Sequence, residues 1–305
     1  MSITHMRLAL APFLTLFLLV AAVSTPAQAQ EPAGLPAAAR QQIAAGEAEF
    51  KQGRYDAAAA HFQQAVEMAP QYTLAHMYLG TAYGRLYVPG ADTPGNLRYG
   101  ESAIREFKLV ANADDARREY RLQAMKSVAS LSLNMKRLDD AAAWYQRVIE
   151  ADPSDPEAYF TLGVIRWTEA YRQRMELRAK LELQPTDPLP PGTECAGLRA
   201  KVETGVEDGM RMVKKALELR PDYSDAMAYM NLLYRERADY ECDNPQARAA
   251  DLKTADEWVD RTMAAKKRES DHGGMSLDAP SKASGTGGGG AGSSDRPPRL
   301  PKTAP

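Results

Sequence analysis

Four histidines, two cysteines and a few adjacent carboxylate pairs are the side chains of this 305-residue sequence that could ligate a metal, hold a proton or attack a carbonyl. Their spacing fits none of those tasks. His5, His61, His76 and His272 stand far apart, and no two have the short helical or loop spacing that presents a pair of ligands to one ion. Cys195 and Cys242 form no Cys-x-x-Cys redox motif. Asp114-Asp115, Asp139-Asp140 and Glu207-Asp208 are sequence neighbours that suit helix starts and solvated helix faces. There is no Gly-x-Ser-x-Gly elbow and no His-Glu-x-x-His helix, and the run Gly287 to Gly290 lacks the Lys-Ser or Lys-Thr of a phosphate loop. The sequence therefore predicts no catalytic residue, no metal site and no cofactor. An enzyme whose residues are dispersed along the chain stays as an alternative.

Composition narrows the classes further. The chain carries 38 Lys and Arg against 40 Asp and Glu, so no basic excess exists to draw a phosphate backbone, and nucleic acid is excluded as the expected partner. Lys214-Lys215 and Lys266-Lys267-Arg268 read as the cationic ends of helices. Met1 to Ala29 has His5 and Arg7, an apolar run from Leu8 to Val23 interrupted by Pro12, and the small-x-small site Ala27-Gln28-Ala29. This is the pattern of a signal peptide rather than of a membrane span, and it predicts export to the periplasm or beyond, with no stable membrane insertion afterwards. Residues 30–38, with Pro32, Gly34 and Pro36, read as a linker. Residues 39–268 consist of helix formers with apolar positions at three- and four-residue spacing and no convincing strand. Residues 269–305 are a Gly-, Ser- and Pro-rich tail expected to be disordered.

Within the helical part a pattern of Gly46, Gly53-Arg54-Tyr55, Ala58, Phe62, Ala65 and Pro70 recurs, with decay, four more times. Small residues let two helices approach, an aromatic fills the space between units, and a proline stops the second helix. These residues resemble the tetratricopeptide repeat, a 34-residue pair of antiparallel helices A and B. The resemblance implies an all-α solenoid of about five units. The second unit has Leu79, Gly80 and Tyr83 on helix A, but Ala103 and Phe107 arrive late, so Leu86 to Arg98 reads as an inserted loop. The third has Ala129, Ala141, Tyr145 and Pro153, with Lys136 where a turn glycine is usual, which predicts an altered turn. The fourth opens on Asp155, Pro156, Leu162 and Gly163, its helix A continues toward Leu181, and a Pro-rich insertion over 183–196 precedes helix B. The fifth has Met230 and Tyr234, and a last helix from Arg248 to Arg268 serves as the polar cap of the array.

This arrangement puts Cys195, just before helix B of the fourth unit, and Cys242, just after helix A of the fifth, at the same end of an antiparallel pair, where they can form a disulfide. In the family, helix A lines the concave face. Carried over place by place, that face includes Met77, Arg85, Lys126, Asn134, Phe160, Trp167, Leu232 and Arg235, with core packing an equal alternative for Phe160 and Trp167. Ile43 and Glu47 stand where the carboxylate-clamping members of the family have Lys and Asn, so that specialisation is not expected. The resemblance implies a non-catalytic scaffold or adaptor in the cell envelope, binding a protein or peptide. A structural subunit of a homo-oligomer is the alternative.

Overall fold

The computed structural model of the chain describes residues 35–184 and 187–275; the signal peptide and most of the tail inferred from the sequence lie outside them. Ten α-helices and no strand occur among the described residues, all within a unit that begins at Pro36. They form five antiparallel pairs: α1 (Ala37–Lys51) with α2 (Tyr55–Met68), α3 (Thr73–Leu86) with α4 (Pro94–Ala111), α5 (Arg118–Asn134) with α6 (Leu138–Ala151), α7 (Pro156–Lys180) with α8 (Thr193–Leu219), and α9 (Ser224–Tyr240) with α10 (Pro245–Met275). Each second helix also packs on the first helix of the next pair. Among the first helices, α3 meets α5 and α7 meets α9, whereas no second helix packs comparably on another, so the array curves with the first helices inside.

The small residues of the repeat do the work their spacing implies. A Cβ on Gly46 would lie 2.7 Å from Phe62 Cδ1, and one on Gly80 would lie 3.0 Å from Phe107 Cε1, so each glycine seats the aromatic of its partner helix. Phe107 thus fills the role of Phe62 despite its delay in sequence. The fourth pair solves the crossing differently: Gly163 of α7 lies against the backbone of Gly209 in α8, where an added Cβ would meet the Gly209 carbonyl oxygen at 3.1 Å.

Several expected boundaries move. The insertion after α3 is only half loop, because Thr93 caps the Asn96 N–H at 3.3 Å and Pro94 occupies the first helical position, starting α4 well before Arg98. Asn96 then holds the remaining loop, donating to the Val88 and Ala91 carbonyls at 2.8 and 2.7 Å and accepting from the Val88 N–H at 2.7 Å. The α5–α6 turn is not altered. Lys136 takes the left-handed conformation of Gly53, with φ of 60° against 75°, and the same pair of turn hydrogen bonds forms in both places. The second insertion contracts to the stretch between Lys180 and Thr193, so Cys195 lies in the first turn of α8. The last helix begins at Pro245 and runs to Met275, which places Lys266-Lys267-Arg268 inside it rather than at its end.

The fourth and fifth pairs are held by more than apolar packing. Arg178, 3 % exposed, donates to the Gln184 and Asp187 carbonyls at 2.9 and 2.7 Å and pairs with Asp239 at 3.2 Å, while Leu189 of the same loop is buried in the core. Arg174 grips Glu236 through two hydrogen bonds of 2.8 and 2.9 Å and reaches Asp239 at 3.0 Å. Cys195 and Cys242 are joined as a disulfide, with Cα atoms 6.5 Å apart.

Candidate functional site

The inner row of first helices is where a solenoid of this curvature meets a partner, and its character changes along the array. In the second and third pairs the row is open. Met77 is half-buried against the α3–α5 core, and Arg85, at the end of α3, is exposed with no side-chain partner among the described residues. Lys126 is half-buried and reaches forward to Asp155, the N-cap of α7, at 2.6 Å. Asn134 keeps its amide unused, while its carbonyl accepts the Tyr87 hydroxyl at 3.2 Å. These side chains lie in sequence along a strip and do not converge on one point.

At the fourth pair the row closes. Phe160 is 5 % exposed and Val164 is 8 % exposed, both inside the largest core cluster, so Phe160 is a core residue and not part of a binding face. Its ring sits 4.8 Å from Tyr223 and 5.4 Å from Tyr229. Trp167 stacks on Tyr171 at 5.0 Å and meets the edge of Tyr229 at 5.4 Å, leaving its ring only partly reachable and its Nε1–H buried without an acceptor. On α9, Leu232 is half-buried, and Arg235 is exposed but committed to Asn231 at 2.9 Å and to Asp256 of α10 at 2.7 Å.

The residues that close the row were not visible in the sequence pattern. Tyr223 sits in the turn before α9 and donates to Glu157, the second residue of α7, which also accepts from Arg220 at 2.7 Å. Burial and the adjacent carboxylate push the Tyr223 hydroxyl far above the usual tyrosine range, and burial lifts Tyr229 to about 12, so both remain neutral, apolar-packed phenols. Burial pushes the Glu236 carboxyl up, against the pull of Arg174. Glu157 with Arg220, Glu236 with Arg174, and Arg235 with Asp256 are thus charged groups that pair within the protein.

The TPR repeat family model matches residues 46–86 and 134–168, which takes in the end of α1 with α2 and α3, and then α6 with the first half of α7. No curated protein matches the chain by sequence. Among solved structures, the crystal structure of MamA protein superposes with a TM-score of 0.52 at 12 % identity, covering 77 % of this chain and 94 % of that one. The MamA RS-1 ArsTM double mutant gives 0.50 at 16 % identity over 77 % and 98 %. MamA 41-end from Desulfovibrio magneticus RS-1 gives 0.49 at 15 % over the same shares. At such identities the likeness is one of fold. Repeat matches, helix pairing and superposition agree that the described residues are a TPR-like α-solenoid of five helix pairs.

Proposed function

We propose that this protein is a non-catalytic scaffold that holds a peptide segment or partner protein along the inner row of its second and third helix pairs. The observation that carries this reading is the contrast along that row. Met77, Arg85, Lys126 and Asn134 stay at least partly exposed, while Phe160 and Val164 at corresponding positions of α7 are buried in the protein's own core. An apolar side chain between cations suits a segment with an apolar anchor and acidic neighbours. The leader-like residues Leu8 to Ala29 and the Cys195–Cys242 disulfide support an exported scaffold working in an oxidising compartment such as the cell envelope.

The test is a photo-crosslinking residue placed in living cells at Arg85 or Gln123, both on the inner side, and at Ala143 on the outer side of α6. The reading requires capture of a distinct protein from the inner positions, lost when Arg85→Glu is combined with the Gln123 probe. Capture confined to Ala143 would overturn it, and capture of only the same chain would replace it with a homo-oligomeric assembly.

A further inference from the structure

The surface where α4, the start of α5 and α6 meet is rich in cations. Two open hollows, of about 650 and 450 Å³, meet there at Asn112. Their charged lining comprises six cations and two acids, although the whole chain carries a net charge of −2. One acid, Glu101, is already taken by Arg137 at 2.7 Å. The other, Asp114, accepts from Arg121 through its main-chain carbonyl at 3.4 Å. Asp152, next along the edge, is held by Ser154 at 2.6 Å. The neighbouring hollow at the α5–α6 turn shows the contrast, since it sets Lys136, Arg137 and Arg172 against Asp139, Asp140 and Glu169.

The cations are also fixed in place. Arg147 lies 4.0 Å from the centre of the Trp144 ring and donates to Asn112 Oδ1 at 2.9 Å, and Lys108 stands 5.9 Å over the same ring. Arg118 is anchored on the Ala151 carbonyl at 2.6 Å. None of Lys108, Arg118, Arg121 and Arg147 has a carboxylate within ion-pair distance among the described residues. Each arginine keeps guanidinium N–H groups for a bidentate acceptor, and the side-chain ordering that a complex would otherwise require is largely done. Leu109, 51 % exposed, adds an apolar rim.

We propose that this surface of α4, the start of α5 and α6 is a second docking site, which takes an acidic segment of a partner protein. Glu101 to Asn112 spans roughly 16 Å of helix, enough for about five extended residues. The chain's own tail does not fit the requirement, because residues 276–305 hold Asp278 and Asp295 against Lys282, Arg296, Arg299 and Lys302. The cations line concave hollows rather than one flat plane, which favours a peptide over a membrane surface.

The probe is a fluorescein-labelled Glu-Glu-Leu-Glu-Glu-Leu peptide with a photoreactive terminus, titrated against the full chain by anisotropy. The expected result is saturable binding that weakens with salt, no binding of the Gln-for-Glu peptide, and crosslinks in wild-type protein that map to α4, the first two turns of α5, and α6. Lys108→Glu with Arg118→Glu should weaken binding at least tenfold, and the milder pair Lys108→Ala with Arg118→Ala should weaken it several-fold. The proposal is overturned by unchanged affinity in the milder variant, or by crosslinks around Met77, Arg85, Lys126 and Asn134 of the inner row. Preferential association with phosphatidylglycerol vesicles over the peptide, or peptide binding only through dimerisation on sizing, would equally overturn it.

Discussion

The buried contact between His76 and Glu106 offers the sharpest test of how the second helix pair is held. His76 Nε2 donates to the Pro70 carbonyl at 2.9 Å, and Nδ1 faces Glu106 Oε2 at 2.8 Å. A carbonyl only accepts, so Nε2 carries a proton; when Nδ1 is protonated as well, the ring is an imidazolium that donates to the Glu106 carboxylate. The hydrogen bond to Glu106 raises the His76 pKa, burial opposes the rise, and the Pro70 bond adds to it. Because the folded-state pKa lies above the unfolded value of about 6.5, the pair contributes fully below about pH 6.5 and its contribution is lost as pH rises through the folded-state pKa. Both residues are nearly buried, at 7 % and 8 % exposure. Removing one partner of a buried pair costs about 3–5 kcal/mol, and the Arg105 guanidinium left 3.6 Å from Glu106 places His76→Ala at the low end, about 3 kcal/mol. Glu106→Gln keeps the shape and an acceptor, and should cost only about 1–2 kcal/mol. Urea unfolding followed by circular dichroism at about pH 5.5 and about pH 8.5 measures both effects, with the wild type less stable at the higher pH through this pair and each variant losing that part of the slope. A His76→Ala protein as stable as wild type at the lower pH, or one that keeps the full wild-type slope, refutes the reasoning.

Three further outcomes follow from backbone geometry and covalent structure. Gly163→Ala should destabilise by about 1–3 kcal/mol, since its Cβ meets the Gly209 carbonyl, whereas Gly197→Ala, with nothing within 4 Å on the same long α8, should stabilise by about 0.5–1 kcal/mol in thermal unfolding. Lys136→Gly should gain about 1 kcal/mol by relieving the left-handed φ of 60°, and a loss on denaturant unfolding would show that the turn differs from that at Gly53. Reducing the Cys195–Cys242 bond, or replacing both residues with Ala, should cost on the order of 4 kcal/mol by the chain-entropy argument for a closed loop of this length, seen as a lower melting temperature without loss of helicity at low temperature.

Helix pairing was legible in the sequence because a glycine and an aromatic at fixed spacing describe one contact, Gly46 on Phe62, that recurs as Gly80 on Phe107. The inner row was legible only in its register. Spacing places Phe160 on the same strip as Met77, but what fills the strip at α7 comes from Tyr223 and Tyr229, more than sixty residues away, and no local pattern announces that. One helix start was misjudged, at Pro94, where a proline was read as a loop marker. Thr93 supplies the cap there, so the proline begins the helix instead of interrupting it, as Pro156 does after Asp155 where the sequence pattern was legible. Lys136 misled for a related reason: a non-glycine residue can hold the left-handed turn when the two helices it joins fix its ends. Lys108 and Arg147 escaped notice because they lie on second helices, whereas the family resemblance directs attention to the first helix of each pair.

The distribution of cross-links along the array bears on how such a scaffold would work. The disulfide, the Arg174 and Arg178 cluster, and the aromatic fill around Phe160 all lie in the fourth and fifth pairs. The first three pairs rely on apolar packing, the single buried His76–Glu106 pair, and surface contacts. In a repeat array each pair is stabilised by its neighbours, so a rigid end limits fraying of the pairs stacked on it while leaving them the more adaptable part. Both proposed docking surfaces fall on that adaptable part, one on the inner side of α3 and α5 and the other on α4, the start of α5 and α6. They share helices without sharing side chains. Two segments of one partner could then occupy both faces of the same pairs, and the gain would come from effective concentration rather than from new contacts. Coupling of this kind predicts that Arg85→Glu and Lys108→Glu each weaken capture of such a partner, and that the two together abolish it.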